Sequence, residues 1–147
     1  MKRFELWVQW LKFSGYALVL FGLVMAFLNA TPVFALFNDR IDPVFWAGGG
    51  IDQGTLAFRT WVYAAWGATI AGWGVSLLFV IQNAFAKQER WSWFAITLGL
   101  GLWYVLDTGM SAYFDVSFNV AFNNLILVII IIPLVASYRY FRSKDNE

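Results

Sequence analysis

Hydrophobic residues fall into long segments that short polar stretches separate. Four such segments lie at about residues 7–28, 60–85, 91–113 and 119–138. Each approaches or exceeds the roughly 20 apolar residues that an α-helix needs to cross a bilayer. The pattern therefore predicts an all-α, polytopic membrane protein, a four-transmembrane-helix bundle that forms a single domain over residues 1–147.

The N-terminal segment has two alternative interpretations. Residues 1–12 place apolar and charged side chains on different faces of a helix, as a helix that lies on the lipid surface does. We favour the alternative that these residues form the first turns of the first membrane-crossing helix. A cleavable signal peptide is disfavoured because Glu5, Trp7 and Trp10 interrupt its basic region.

The connection at residues 29–58 is too long for a simple loop. Thr31-Pro32 and Asp42-Pro43 each combine a capping side chain with a proline, which is typical of a helix start. They predict two short interfacial helices in this first extracytoplasmic loop, with Gly48–Gly50 as a flexible joint. A packing element at the interface is favoured over a lid.

The amino-acid composition limits the class of protein and the reactive groups that are available to it. The chain is 61% hydrophobic and 13% charged, against roughly 45–50% and about 25% in soluble domains. It contains no Cys and no His, the residues that supply most thiol nucleophiles, general bases, and haem and zinc ligands. We expect no metal, no cofactor, no enzymatic activity and no nucleic-acid partner.

The basic residues predict the orientation, because Lys and Arg concentrate in cytoplasmic loops. With four crossings, eight fall on one side and two, Arg40 and Arg59, on the other. Both termini are therefore predicted to be cytoplasmic, and a bacterial inner membrane is the expected location. The eight are Lys2, Arg3, Lys12, Lys87, Arg90, Arg139, Arg142 and Lys144.

Small residues recur every four positions along the second crossing. They are Ala64, Ala68, Gly72 and Ser76. Such a stripe lets a neighbouring helix approach closely. Packing against the first or fourth helix is the favoured explanation, and a helix–helix partner in another chain is the alternative.

Asp107 is the only acidic residue within a predicted crossing. Because an acid in hydrocarbon costs at least about 2.5 kcal/mol, it should face protein or water. A hairpin turn near Val116 brings Asn123 to a similar depth, so Asp107, Ser111 and Asn123 form the predicted core of a polar cluster. Further candidates for this ligand-binding or polar cluster are Asn124, Trp103, Tyr104, Trp66 and Arg59.

Two functions fit this cluster. It could bind a small amphiphilic ligand or a membrane lipid, with a transport role as an extension, since buried membrane acids often serve ligands or ions. Alternatively, Asp107 is an interhelical hydrogen-bond clasp in a structural or accessory subunit of a larger membrane complex, with each bond contributing about 0.6 kcal/mol.

Overall fold

Helical segments occupy almost all of the part of the chain that the computed structural model describes, residues 2–46 and 50–142. Within these residues there is no strand. The segments are α1 (Lys2–Leu28), a 3-10 turn (Pro32–Phe34), α2 (Ala35–Phe45), α3 (Gln53–Asn83), a second 3-10 turn (Phe85–Lys87), α4 (Arg90–Tyr113) and α5 (Ser117–Arg142).

Among the described residues, three helices are long and apolar enough to cross a membrane. They are α1, α3 together with the turn that follows it to Lys87, and α5. α4 has 24 residues, which is long enough, but its Trp, Tyr and Gly residues and Asp107 lower its mean hydropathy, and it is not among the three. The prediction of an all-helical fold is confirmed for the described residues, and three candidate spanning helices, rather than the predicted four, meet the length and hydropathy that a membrane crossing requires.

The long helices pack in the order α3, α1, α5, α4, so that α3 and α4 stand at the two ends of an arc and touch little. The closest seam joins α1 to α3. There Gly22 and Gly67 bring the two backbones together, since a Cβ added to Gly67 would lie 2.5 Å from the Ala26 nitrogen. Tight packing on α1 thus leaves the side of α3 towards α4 open.

A buried core closes the end of the bundle at which α1 begins and α5 ends. The Phe4 ring stacks on Phe85 with centroids 5.9 Å apart and meets the edge of Phe141 at 6.0 Å. The beginning of α1, the α3–α4 connection and the end of α5 therefore lie together, and the long helices alternate in direction. We call the opposite end the distal end.

Both tight connections use a left-handed residue. Gln88 follows α3 with φ of 60°, and Asp115 follows α4 with φ of 58°. After α4, the Val116 amide donates to the Ser111 carbonyl at 2.8 Å, and the Asp115 amide donates to the Ala112 carbonyl at 3.2 Å. This is the hydrogen-bond pattern of the Schellman motif, and it turns the chain directly into α5.

The first loop differs from its prediction. Instead of two helices, it forms the first 3-10 turn and one helix, α2, and Asp42-Pro43 lies inside α2 rather than at a helix start. Packing explains the difference: Phe37 on α2 meets Phe118 and Phe122 at 5.3 and 5.1 Å, which holds the helix across the distal end. Gly48 and Gly49 of the predicted joint lie outside the described residues.

α3 begins seven residues before the predicted crossing. Its first residue is Gln53, because the Asp52 carboxylate accepts the Gly54 and Thr55 amides at 2.9 and 3.1 Å and so caps the helix. These hydrogen bonds, the side-chain bond from Thr55 above all, hold the pKa of Asp52 below its usual value of 3.8.

The small-residue stripe does not form the seam with α1. Ala68, Gly72 and Ser76 are exposed, and a Cβ added to Gly72 would meet nothing within 4 Å. The favoured intrachain explanation is therefore wrong. The seam uses Gly67 and Gly74, which lie on another face of the helix. A Cβ at either position would overlap the α1 backbone, so only glycine lets the two backbones touch there.

Candidate functional site: the Asp107 cluster and the distal cleft

The Asp107 carboxylate joins α4 to α5 in the distal half of the bundle. Its Oδ1 accepts hydrogen bonds from Asn119 Nδ2 at 2.7 Å, from Asn123 Nδ2 at 2.9 Å and from Ser111 Oγ at 3.2 Å. These three bonds define the Asp107 cluster. Two of them cross between helices, so the cluster fastens α4 to α5.

Local structure explains why these side chains converge. Ser111 lies one turn after Asp107 on α4, and its carbonyl anchors the turn into α5. Asn119 and Asn123 lie one turn apart on α5, so both amides face α4. Asn119 also donates to Ser111 Oγ at 2.7 Å, and Asn123 donates to Thr108 Oγ1 at 3.2 Å.

The other predicted residues lie close to the cluster without joining it. Tyr104 donates its hydroxyl proton to Asn124 Oδ1 at 2.7 Å, which makes a second, separate contact between α4 and α5. Trp66 and Trp103 line the cleft described below, together with Asp107.

Arg59 pairs with Asp42 rather than with Asp107. Its guanidinium is buried and forms an ion pair with Asp42 of α2, which ties α2 to the beginning of α3. The guanidinium also lies 5.9 Å from the centre of the Tyr63 ring. Within the described residues, Arg59 Nε and Asp42 Oδ1 are buried and have no hydrogen-bond partner.

A large cleft opens beside the cluster at the distal end. Its volume is about 720 Å³, within the roughly 300–1,000 Å³ of small-molecule sites. The end of α2 and the first half of α3 form one side, and the second half of α4 forms the other. Asp107, Ser111 and Asn119 lie on the α4–α5 wall, and most of the remaining lining is apolar or aromatic.

Two residues that take part in these contacts were not predicted from the sequence. Asn119 lies four residues before Asn123, and this spacing, which places both side chains on one face of a helix, was the signal that could have found it. Asp42 was interpreted as a helix cap, and nothing in the local sequence indicates its partner 17 residues away.

Among residues 2–46 and 50–142, no group of three or more His, Cys, Asp or Glu side chains could hold a metal ion. Comparison of the chain with protein-family models, with curated proteins and with solved structures finds no match.

Proposed function

We propose that this protein is a small integral membrane protein that binds a small amphiphilic ligand or lipid in the distal cleft, with the Asp107 cluster as its polar anchor. The supporting observation is the cleft itself. Its lining is largely apolar, with Asp107, Ser111 and Asn119 grouped on the α4–α5 wall and Thr55 and Arg59 on the α3 side. Apolar surface with a few polar side chains is the lining that suits an amphiphile.

The proposal includes four crossings with both termini in the cytoplasm, in a bacterial inner membrane. At about 1.5 Å per residue, the 24 residues of α4 extend about 36 Å, as far as a bilayer core requires. α4 runs antiparallel to both α3 and α5, and side-chain hydrogen bonds to α5 engage Tyr104, Asp107 and Thr108. With α4 inserted, the basic residues at the terminal end all face the cytoplasm.

A filling experiment tests ligand binding. The double variant Val62→Trp/Met110→Trp places bulk on opposite walls of the cleft. The matched control, Leu20→Trp/Leu98→Trp, adds the same side chains at exposed positions outside it. Native mass spectrometry of protein extracted from membranes in an uncharged detergent should show lipid adducts on the native chain and the control. The filled variant should lose them, whereas equal adducts on all three proteins would refute the proposal.

A second candidate is an accessory subunit of a larger membrane complex. The observation that favours it is the exposure of Ala68, Gly72 and Ser76, a face on which another helix could pack closely. In this case Gly72→Leu should abolish an assembly that the native chain forms in lipid nanodiscs, as measured by single-molecule photobleaching. An unchanged assembly state would count against a partner at this face.

A further inference from the structure

We propose that the head group of the ligand is cationic, an amine or a quaternary ammonium group held by Asp107 and the aromatic side chains around it. This inference rests on the proposed function and adds the chemical class of the ligand. The cleft thus takes a cationic amphiphile in preference to an uncharged or anionic one.

The first argument is charge. The three groups that donate to Asp107 are two amides and a hydroxyl, which stabilise a carboxylate without neutralising it. All three bonds end on Oδ1, so Oδ2 receives none of them. Arg59, a basic residue that lines the cleft, forms its ion pair with Asp42 and not with Asp107.

This arrangement leaves a negative wall beside a largely apolar space. The positive charge that lines the cleft, Arg59, already has Asp42 as its partner, so the two contribute little net charge. Among the described residues that line the cleft, Asp107 has no basic side chain as its partner. Ionisable side chains within membrane-spanning segments commonly pair with an opposite charge, and a cationic ligand supplies one.

The second argument is the aromatic lining. Tyr63, Trp66, Trp103 and Phe114 all face the cleft in which Asp107 lies. The faces of such rings attract cations, and cages of aromatic side chains are a common way to bind quaternary ammonium groups. Trp66 remains 50% exposed, so its ring surface is accessible to a ligand.

The third argument is the route for the apolar tail. α3 and α4 touch little, so the cleft is open between them towards the side of the bundle. Leu106 and Met110, on the α4 wall, are 58% and 55% exposed. In a bilayer these side chains would border the acyl chains, and a ligand tail could extend between the helices.

The test uses purified full-length protein in an uncharged maltoside detergent. Binding of three probes with the same dodecyl chain is measured by native mass spectrometry and by tryptophan fluorescence: dodecyltrimethylammonium, an uncharged dodecyl polyoxyethylene ether, and dodecanoate. The native protein should bind the cationic probe about tenfold more tightly than the uncharged one, as expected for one charge-assisted contact.

Asp107→Asn keeps an oxygen that can accept the Asn119 and Asn123 amides, but it removes the charge. This variant should lose the tenfold preference for the cationic probe over the uncharged one. The matched control is Asp115→Asn, which removes a charge from the exposed turn and should preserve the preference.

The possible outcomes separate the two proposals. If the native protein binds the cationic and uncharged probes equally, the cationic head group is refuted while amphiphile binding stands. Preferential binding of dodecanoate also refutes it. Binding of none of the probes would refute amphiphile binding as well. If Asp107→Asn does not fold, the preference of the native protein and its weakening by salt still decide the matter.

Discussion

Replacing Gly67 by Ala should destabilise the protein far more than its single added methyl group suggests. The new Cβ would lie 2.5 Å from both the Ala26 nitrogen and the Gly22 oxygen, whereas ordinary van der Waals contact begins near 3.4 Å. Both atoms belong to the α1 backbone, so no side-chain rotation relieves the overlap. The two helices would have to separate by about 1 Å.

The expected loss is on the order of 2 kcal/mol of the free energy of unfolding. Overpacking by one or more methylenes costs about 1–3 kcal/mol, and a clash with backbone belongs in the upper part of that range. The higher helix propensity of Ala offsets part of this loss, by up to about 1 kcal/mol.

Gly72→Ala is the matched control, because it makes the same change on the same helix where a Cβ meets nothing within 4 Å. Its free energy of unfolding should be unchanged or slightly higher. Both can be measured by titrating the mixed-micelle protein with dodecyl sulfate and following helicity and tryptophan fluorescence. If Gly67→Ala is as stable as Gly72→Ala, the account of the α1–α3 seam is refuted.

Three further changes test other parts of the fold. Asp107→Leu removes the acceptor of three hydrogen bonds and should cost about 1–2 kcal/mol in the same titration, and unchanged stability would contradict the clasp. Gln88→Gly removes the backbone strain of a non-glycine residue in the left-handed conformation, so it should raise the free energy of unfolding by up to about 1 kcal/mol. A lower free energy of unfolding would contradict that strain. The stability that the Asp52 cap gives α3 is fully present at pH values above the usual pKa of Asp52. It is lost as the pH falls through the lowered pKa that Asp52 has in the folded protein. Asp52→Ala should therefore reduce hydrogen-exchange protection at Gly54 and Thr55 at neutral pH, and full protection would refute the cap.

The sequence by itself determined the class of the protein and the depth of its polar groups. In lipid, an apolar segment of about 20 residues satisfies its backbone hydrogen bonds within itself by forming a helix, so the sequence predicted a helical chain. The rise of a helix is fixed, and Asp107 and Asn123 stand at similar distances from Val116, so their levels could be calculated. Their hydrogen bond at 2.9 Å follows from that register.

Only the tertiary structure decided which faces meet. The apolar faces of α3 are nearly equivalent in hydrophobicity, and lipid solvates them as well as a neighbouring helix does, so periodicity could not choose between the Gly67 face and the Gly72 face. Close backbone packing made that choice. The partner of Arg59 and the opening between α3 and α4 depend on how α1 and α2 are placed, and this information lies in contacts far apart along the chain.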